Sequence, residues 1–125
     1  AEGPVGIWVT EDRVSKIRVA PCGKALCATV AWSKSGGTDD NNPDPGKRGR
    51  KIIGLDLSRD FRPDGKGGFA GSIYNPENGK TYQATMQPRG ARELEVGGCI
   101  MGGLLCGSET WTRDRDNTAS IAPIR

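Results

Sequence analysis

About every dozen residues this chain repeats one pattern: a short stretch with apolar residues at alternate positions, then a cluster of turn residues, with no sustained helical repeat. A period of two sends one face of a strand into a core and the other into water. The pattern predicts strands at 5–10, 15–20, 26–32, 51–57, 68–74, 80–86, 93–100 and 104–113. In the fourth of these, Ile53, Leu55 and Leu57 share one face while Gly54, Asp56 and Ser58 share the other. The connections Glu11-Asp12-Arg13, Gly23-Lys24-Ala25, Asn78-Gly79, Pro88-Arg89-Gly90 and Gly102-Gly103 all suit hairpins, and Asn-Gly and Gly-Gly tolerate the positive φ that type I′ turns demand. Eight strands joined this way fit an all-β, single antiparallel up-and-down barrel.

At 125 residues the chain has the size of one domain spanning 1–125. Its 19 glycines and 8 prolines describe a backbone that turns often, which suits strands and not helical bundles. The segment SKSGGTDDNNPDPGKRGR at 33–50 is the exception, a long surface loop of the length that usually carries function. The tail at 114–125 reads as irregular and docked through Ile121 and Ile124. The net charge of +3 is scattered. The densest basic stretch, Lys47, Arg48, Arg50 and Lys51, follows directly on Asp39, Asp40 and Asp44, so local neutralisation is preferred and nucleic acid is excluded as a partner. The longest mostly apolar run, 97–106, is half the roughly 20 residues of a membrane helix, so no span is predicted. Nothing in the sequence fixes an oligomeric state.

Four cysteines and no histidine point to disulfides and an oxidising compartment. If Gly102-Gly103 is a two-residue turn, Cys99 faces Cys106; counting around Lys24-Ala25 sets Cys22 opposite Cys27. Pairing within each hairpin is the first expectation, and bridges between the hairpins are the alternative, since four cysteines allow three connectivities. A zinc site would need all four thiolates to converge, with gaps wider than the usual knuckle. The first residues, Ala1-Glu2-Gly3, suit a mature chain released from a signal peptide, so a periplasmic or secreted location is expected.

A set of landmarks runs through the chain: Gly6-Ile7-Trp8-Val9-Thr10-Glu11-Asp12, then Ile17-Arg18-Val19-Ala20-Pro21-Cys22-Gly23 with Leu26-Cys27 and Trp32. Asn42-Pro43-Asp44-Pro45 lies in the long loop, followed by Ile73-Tyr74-Asn75-Pro76, Gly79-Lys80-Thr81-Tyr82 and Thr110-Trp111-Thr112-Arg113. Together these resemble the bacterial family called domain of unknown function 2147, small exported proteins with a lipocalin-like barrel, over nearly the whole chain to Arg113. At Gly46 that pattern has a larger residue. The resemblance implies a fold and no activity. It also implies that Gly6-x-Trp8 in the first strand and Arg113 in the last close one end of the barrel, as a Gly-x-Trp and a basic residue do in lipocalins. The chemistry agrees, because glycine lets backbone pass closely, indole fills a barrel floor, and a guanidinium stacks on indole for roughly 0.5–2 kcal/mol.

The absence of histidine removes Ser-His-Asp and Cys-His nucleophile systems and histidine metal sites, and no catalytic residue, metal or cofactor is assigned. Asp39 and Asp40 form a carboxylate pair, but a Gly-Asn-Pro loop is expected to be wet, where no pKa is shifted for acid-base work. Asp40-x-Asn42-x-Asp44 has alternate oxygen donors like a calcium loop, yet Pro45 intrudes, Gly46 falls one place late and Lys51 stands where the bidentate Glu belongs. An Asx-turn loop whose acids pair with Arg48 or Arg50 is preferred. Trp32, Phe69, Tyr74 and Tyr82 either line a pocket or fill the interior, with core filling preferred for most. Candidate ligand or lid residues are Trp32, Tyr74, Tyr82, Asn42, Asp44 and Arg48. The function expected is binding of a small apolar or amphipathic molecule; the alternative is a protein-binding module, such as an inhibitor of an envelope enzyme, built on the disulfide-pinned hairpins and charged loop.

Overall fold

The alternating segments close into one wall of eight strands in the computed structural model, which describes residues 3–100 and 106–114. The strands are β1 (Gly6–Val9), β2 (Ser15–Cys22), β3 (Ala25–Ser33), β4 (Asp56–Pro63), β5 (Phe69–Asn75), β6 (Lys80–Arg89), β7 (Glu93–Ile100) and β8 (Cys106–Arg113). Each is antiparallel to the next, and β8 returns to β1 through Trp8 opposite Arg113 and Val9 opposite Thr112, so the sheet has no free edge. Side chains from all around the wall meet inside; Trp8, Val19, Phe61, Met86 and Leu94 are fully buried, each contributing about 1.5–3 kcal/mol of transfer free energy.

The fourth strand differs from its predicted position at 51–57. Lys51 makes only an isolated bridge to Thr38, and the chain then turns, with the Leu55 amide donating to the Ile52 carbonyl at 3.0 Å and Gly54 at φ +93°. Ile53 is therefore exposed while Leu55 and Leu57 are buried. The true strand continues through Arg59, Asp60, Phe61 and Arg62, whose charges conceal it. Its pairing with β3 runs Leu26 to Phe61, Ala28 to Ser58 and Thr29 to Asp56, so β4 carries extra residues in two bulges. Those bulges break the period of two and bury Ser58, which the alternation had placed in water; its hydroxyl donates to Asp60 at 3.0 Å.

Only two residue pairs join β4 to β5, and Asp60 bridges the splayed part of that seam. Its carboxylate accepts from the Ser72 amide and hydroxyl, both at 2.9 Å. Burial pushes this carboxyl up, but the bonds from Ser72 and Ser58 and the charge of Arg62 outweigh it and hold the pKa below 3.8. A Cβ on Gly71 would come within 2.8 Å of the Asp60 carbonyl, so a glycine is what lets the two strands close here.

The first cysteine hairpin turns at Gly23-Lys24, one residue earlier than counted, because Gly23 supplies the positive φ of +70°. Cys22 thus lies opposite Ala25 and diagonal to Cys27, with a Cα separation of 5.8 Å that a disulfide spans. Cys99 and Cys106 are directly opposed and bonded, 4.0 Å apart at Cα. The predicted Gly102-Gly103 turn, the start of the last predicted strand and the tail with Ile121 and Ile124 lie outside the described residues.

Candidate functional site

The two ends of the barrel are built differently. At one end Trp8 is wholly buried and its Nε1 donates to the Pro4 carbonyl at 2.9 Å. The Arg113 guanidinium carbon lies 4.3 Å from the centre of the Trp8 ring. The same guanidinium donates from Nε to Ala91 O at 2.7 Å, from Nη1 to Val5 O at 2.8 Å and from Nη2 to Gly3 O at 3.0 Å. Gly6, at φ +144°, makes room for it, since a Cβ there would sit 2.4 Å from Nη1. Indole, guanidinium and three carbonyls, two from the segment before β1 and one from the β6–β7 turn, form a plug.

The opposite end is open and holds a cavity of about 580 Å³. An eight-stranded interior is usually filled by its own side chains. Here the inward positions of β7 run Leu94, Val96, Gly98 and those of β8 run Trp111, Glu109, Gly107, so two glycines face each other where side chains would meet. A Cβ on Gly107 would meet nothing within 4 Å. Below them the floor is apolar, with Ile17, Val30, Leu57, Val96 and Trp111. Tyr74 and Tyr82 both stand in the wall, while Phe69 packs against the core. Glu109, at an inward position, accepts from the Trp111 indole N–H at 2.5 Å.

The long loop is folded against this mouth. Asp39, expected to be wet, is fully buried, whereas its neighbour Asp40 is exposed. The Asp39 carboxylate accepts from the Tyr74 hydroxyl at 2.7 Å, from Asn42 Nδ2 at 2.8 Å and from Arg50 Nη2 at 3.3 Å. Burial alone pushes its pKa up; those three bonds and the charge of Arg50 together hold it below 3.8. Burial and the facing carboxylate raise the Tyr74 hydroxyl from 10.0 to about 12, so it stays a neutral donor. Asn41 reaches from the loop to the β5–β6 turn, donating to the carbonyls of Pro76 at 3.2 Å and Glu77 at 3.0 Å. Gly79 lies so close to Asn41 O that a Cβ would be 1.9 Å away. Ser35, Thr38 and Ile52 of the docked loop then complete the cavity wall.

The other loop candidates hold the loop and stay out of the cavity wall. Asn42 is buried and its Oδ1 accepts from the Asp44 amide, Asp44 accepts from the Gly46 amide to cap a 3₁₀ turn at Pro45–Lys47, and Arg48 Nε donates to Asn42 O at 2.8 Å. Trp32 also differs from its place among the candidates lining the pocket. A bulge sets Lys16 opposite Trp32 but Ile17 opposite Val30, which turns Trp32 to the outside. There it is 41% exposed, with the Lys16 ammonium 5.8 Å from its ring centre. Asp39, Asn41, Glu109 and Trp111 were missed as site residues. Glu109 was within reach, because a position two before an inward Trp in the last strand faces inward as well.

A closed eight-stranded meander with a plugged floor, an open mouth and a docked loop over it defines a lipocalin-like barrel. A solved structure of protein HP1028 from Helicobacter pylori, described as belonging to the lipocalin family, superposes with a TM-score of 0.81 at 23% identity, covering 93% of this chain and 86% of that one. Residues 6–113 match the family described as an uncharacterized protein conserved in bacteria, DUF2147, and the chain belongs to that family. No curated protein matches.

Proposed function

We propose that this protein binds a small molecule with an apolar body in the open end of its barrel and does so in an oxidising compartment to which it is exported. The observation that carries this reading is the hollow itself, about 580 Å³ above a sealed floor. Ligand sites fall in the range of roughly 300–1,000 Å³ and combine apolar walls with a few placed polar groups. Both features are present: Ile17, Val30, Leu57 and Trp111 below, Tyr82 and Glu109 nearer the mouth. Binding is favoured over catalysis because the Tyr74 hydroxyl is committed to Asp39 and, with its pKa pushed up to about 12, stays protonated near neutral pH, with no phenolate to act as a base and little acidity to act as an acid. Export is supported by four cysteines held in two disulfides.

Titration with the neutral dye N-phenyl-1-naphthylamine tests the reading, alongside Gly107→Trp. The wild type should bind the dye with enhanced fluorescence. The variant, whose side chain enters open space, should lose binding while keeping its melting temperature. Absence of dye binding by the wild type, together with no small molecule released from the purified protein on denaturation and solvent extraction, would overturn it.

A further inference from the structure

The cavity wall has a charge pattern that the rest of the molecule does not share. The protein is basic, with 18 Lys and Arg against 15 Asp and Glu, yet among the described residues that line the cavity there is no Lys or Arg. Three carboxylates do line it, and they come from separate parts of the mouth: Asp12 from the β1–β2 turn, Glu77 from the β5–β6 turn and Glu109 from the inward face of β8. Their own bonds are to neutral groups. Asp12 accepts from the Thr10 hydroxyl at 2.8 Å and the Val14 amide at 3.2 Å, and Glu109 accepts from the Trp111 indole. Among the described residues none of the three is held in an ion pair. Charge that is uncompensated around a low-dielectric hollow focuses a negative potential into it. The aromatic faces of Trp111, Tyr74 and Tyr82 in the same wall add attraction for a cation.

We infer that the ligand is an amphipathic cation, an apolar body carrying an ammonium or other positively charged head, with the body on the Val30, Leu57 and Trp111 floor and the head level with Glu109, Asp12 and Glu77. The inference rests on the binding function proposed above and specifies its chemistry. An anionic amphiphile such as a fatty acid would place its carboxylate against three others with no base in the wall to pair it, and it is disfavoured by the same field.

Three probes of one chain length test it by displacement of N-phenyl-1-naphthylamine: decyltrimethylammonium, 1-decanol and decyl sulfate. The ammonium should bind about tenfold more tightly than the alcohol and the sulfate more weakly than either, with the differences shrinking as salt is raised. Glu109→Gln, which keeps an acceptor for Trp111, should lower ammonium affinity about three- to tenfold and leave decanol unchanged, so decanol binding doubles as the folding control. Asp12→Asn should act in the same direction more weakly, since Asp12 stands on the β1–β2 turn at the rim whereas Glu109 stands on β8 bonded to Trp111 of the floor. Equal binding of the three probes, or preference for the sulfate, overturns the cationic ligand while the binding cavity stands. Failure of all three to displace the bound dye overturns this inference while the dye itself keeps the binding cavity standing; the proposed function falls only on the absence of dye binding and of any extracted molecule.

Discussion

Replacing Asp39 with alanine should unfasten the long loop and leave the barrel standing. The carboxylate takes three hydrogen bonds, from Tyr74, Asn42 and Arg50, at 2.7, 2.8 and 3.3 Å. Bonds to a charged group contribute about 1.5–3 kcal/mol each, but they are not additive here, because all three donors recover water once the loop lifts. Removing one partner of a buried charged network typically costs about 3–5 kcal/mol, and about 4 kcal/mol is the expected loss of loop docking. At 1.4 kcal/mol per decade, protection of the loop amides against hydrogen exchange should drop by roughly 10²–10³. The amides to follow are Asp39, which donates to Arg50 O, and Ile52, which donates to Gly37 O. Amides of β6 and β7, held by the barrel ladder, should change little. Asp39→Asn is the finer probe. It keeps the shape, and with its oxygen toward Asn42 and Arg50 its NH2 can donate to a rotated Tyr74 hydroxyl, so it should cost only about 1–2 kcal/mol for the lost charge. Dye affinity should fall in step, since Ser35, Thr38 and Ile52 leave the wall with the loop. Unchanged Ile52 protection in Asp39→Ala would refute the latch.

Arg113→Ala removes three bonds to backbone carbonyls of the segment before β1 and of the β6–β7 turn, together with the stacking on Trp8, and should destabilise the whole barrel by about 2–4 kcal/mol, with calorimetry showing a melting temperature lower by roughly 10 °C. Arg113→Lys, which keeps the charge but loses the fork, should fall between the two; a lysine variant as stable as wild type would show that charge alone seals the floor. Gly79→Ala forces a Cβ against Asn41 O at φ +72° and should loosen the loop by more than about 1 kcal/mol, read as faster exchange of the Ile52 amide. For pH, the folded pKa of Asp39 lies below its ordinary 3.8, so its contribution is complete above that value and disappears as pH falls through the lowered one; loop protection corrected for intrinsic exchange should be level from pH 7 to about 4 and drop in stronger acid. Tyr74 acts with the opposite sign: its pKa is raised from 10.0 to about 12, so its contribution is complete below 10 and is lost as pH climbs toward 12, which phenolate absorbance can follow.

How far the sequence could be read depended on whether a signal was local. Seven of the eight strands were legible because their alternation is uninterrupted over at least four residues and turn-forming residues bound them. The fourth was displaced because two bulges destroy its period and its exposed positions carry Arg59, Asp60 and Arg62. Trp32 was misplaced for the same reason, one extra residue in β3 rotating it out of the cavity. Asp39 was unreadable: nothing in Gly37-Thr38-Asp39-Asp40 says which carboxylate is buried, because the choice is made by Tyr74, 35 residues away.

By itself, then, the order of residues determined an all-β meander, its hairpins and the cysteines near their ends, since those follow from side-chain period and backbone conformation within a few residues. Whether the wall would be solid or hollow was decided only by closure. Curling eight strands into a cylinder turns the hairpin pair Gly98 and Gly107 to the inside, and it alone docks the loop through Asp39 and gathers Asp12, Glu77 and Glu109 around one mouth. Those meetings bring together positions up to about a hundred residues apart, and no local pattern in the chain encodes them.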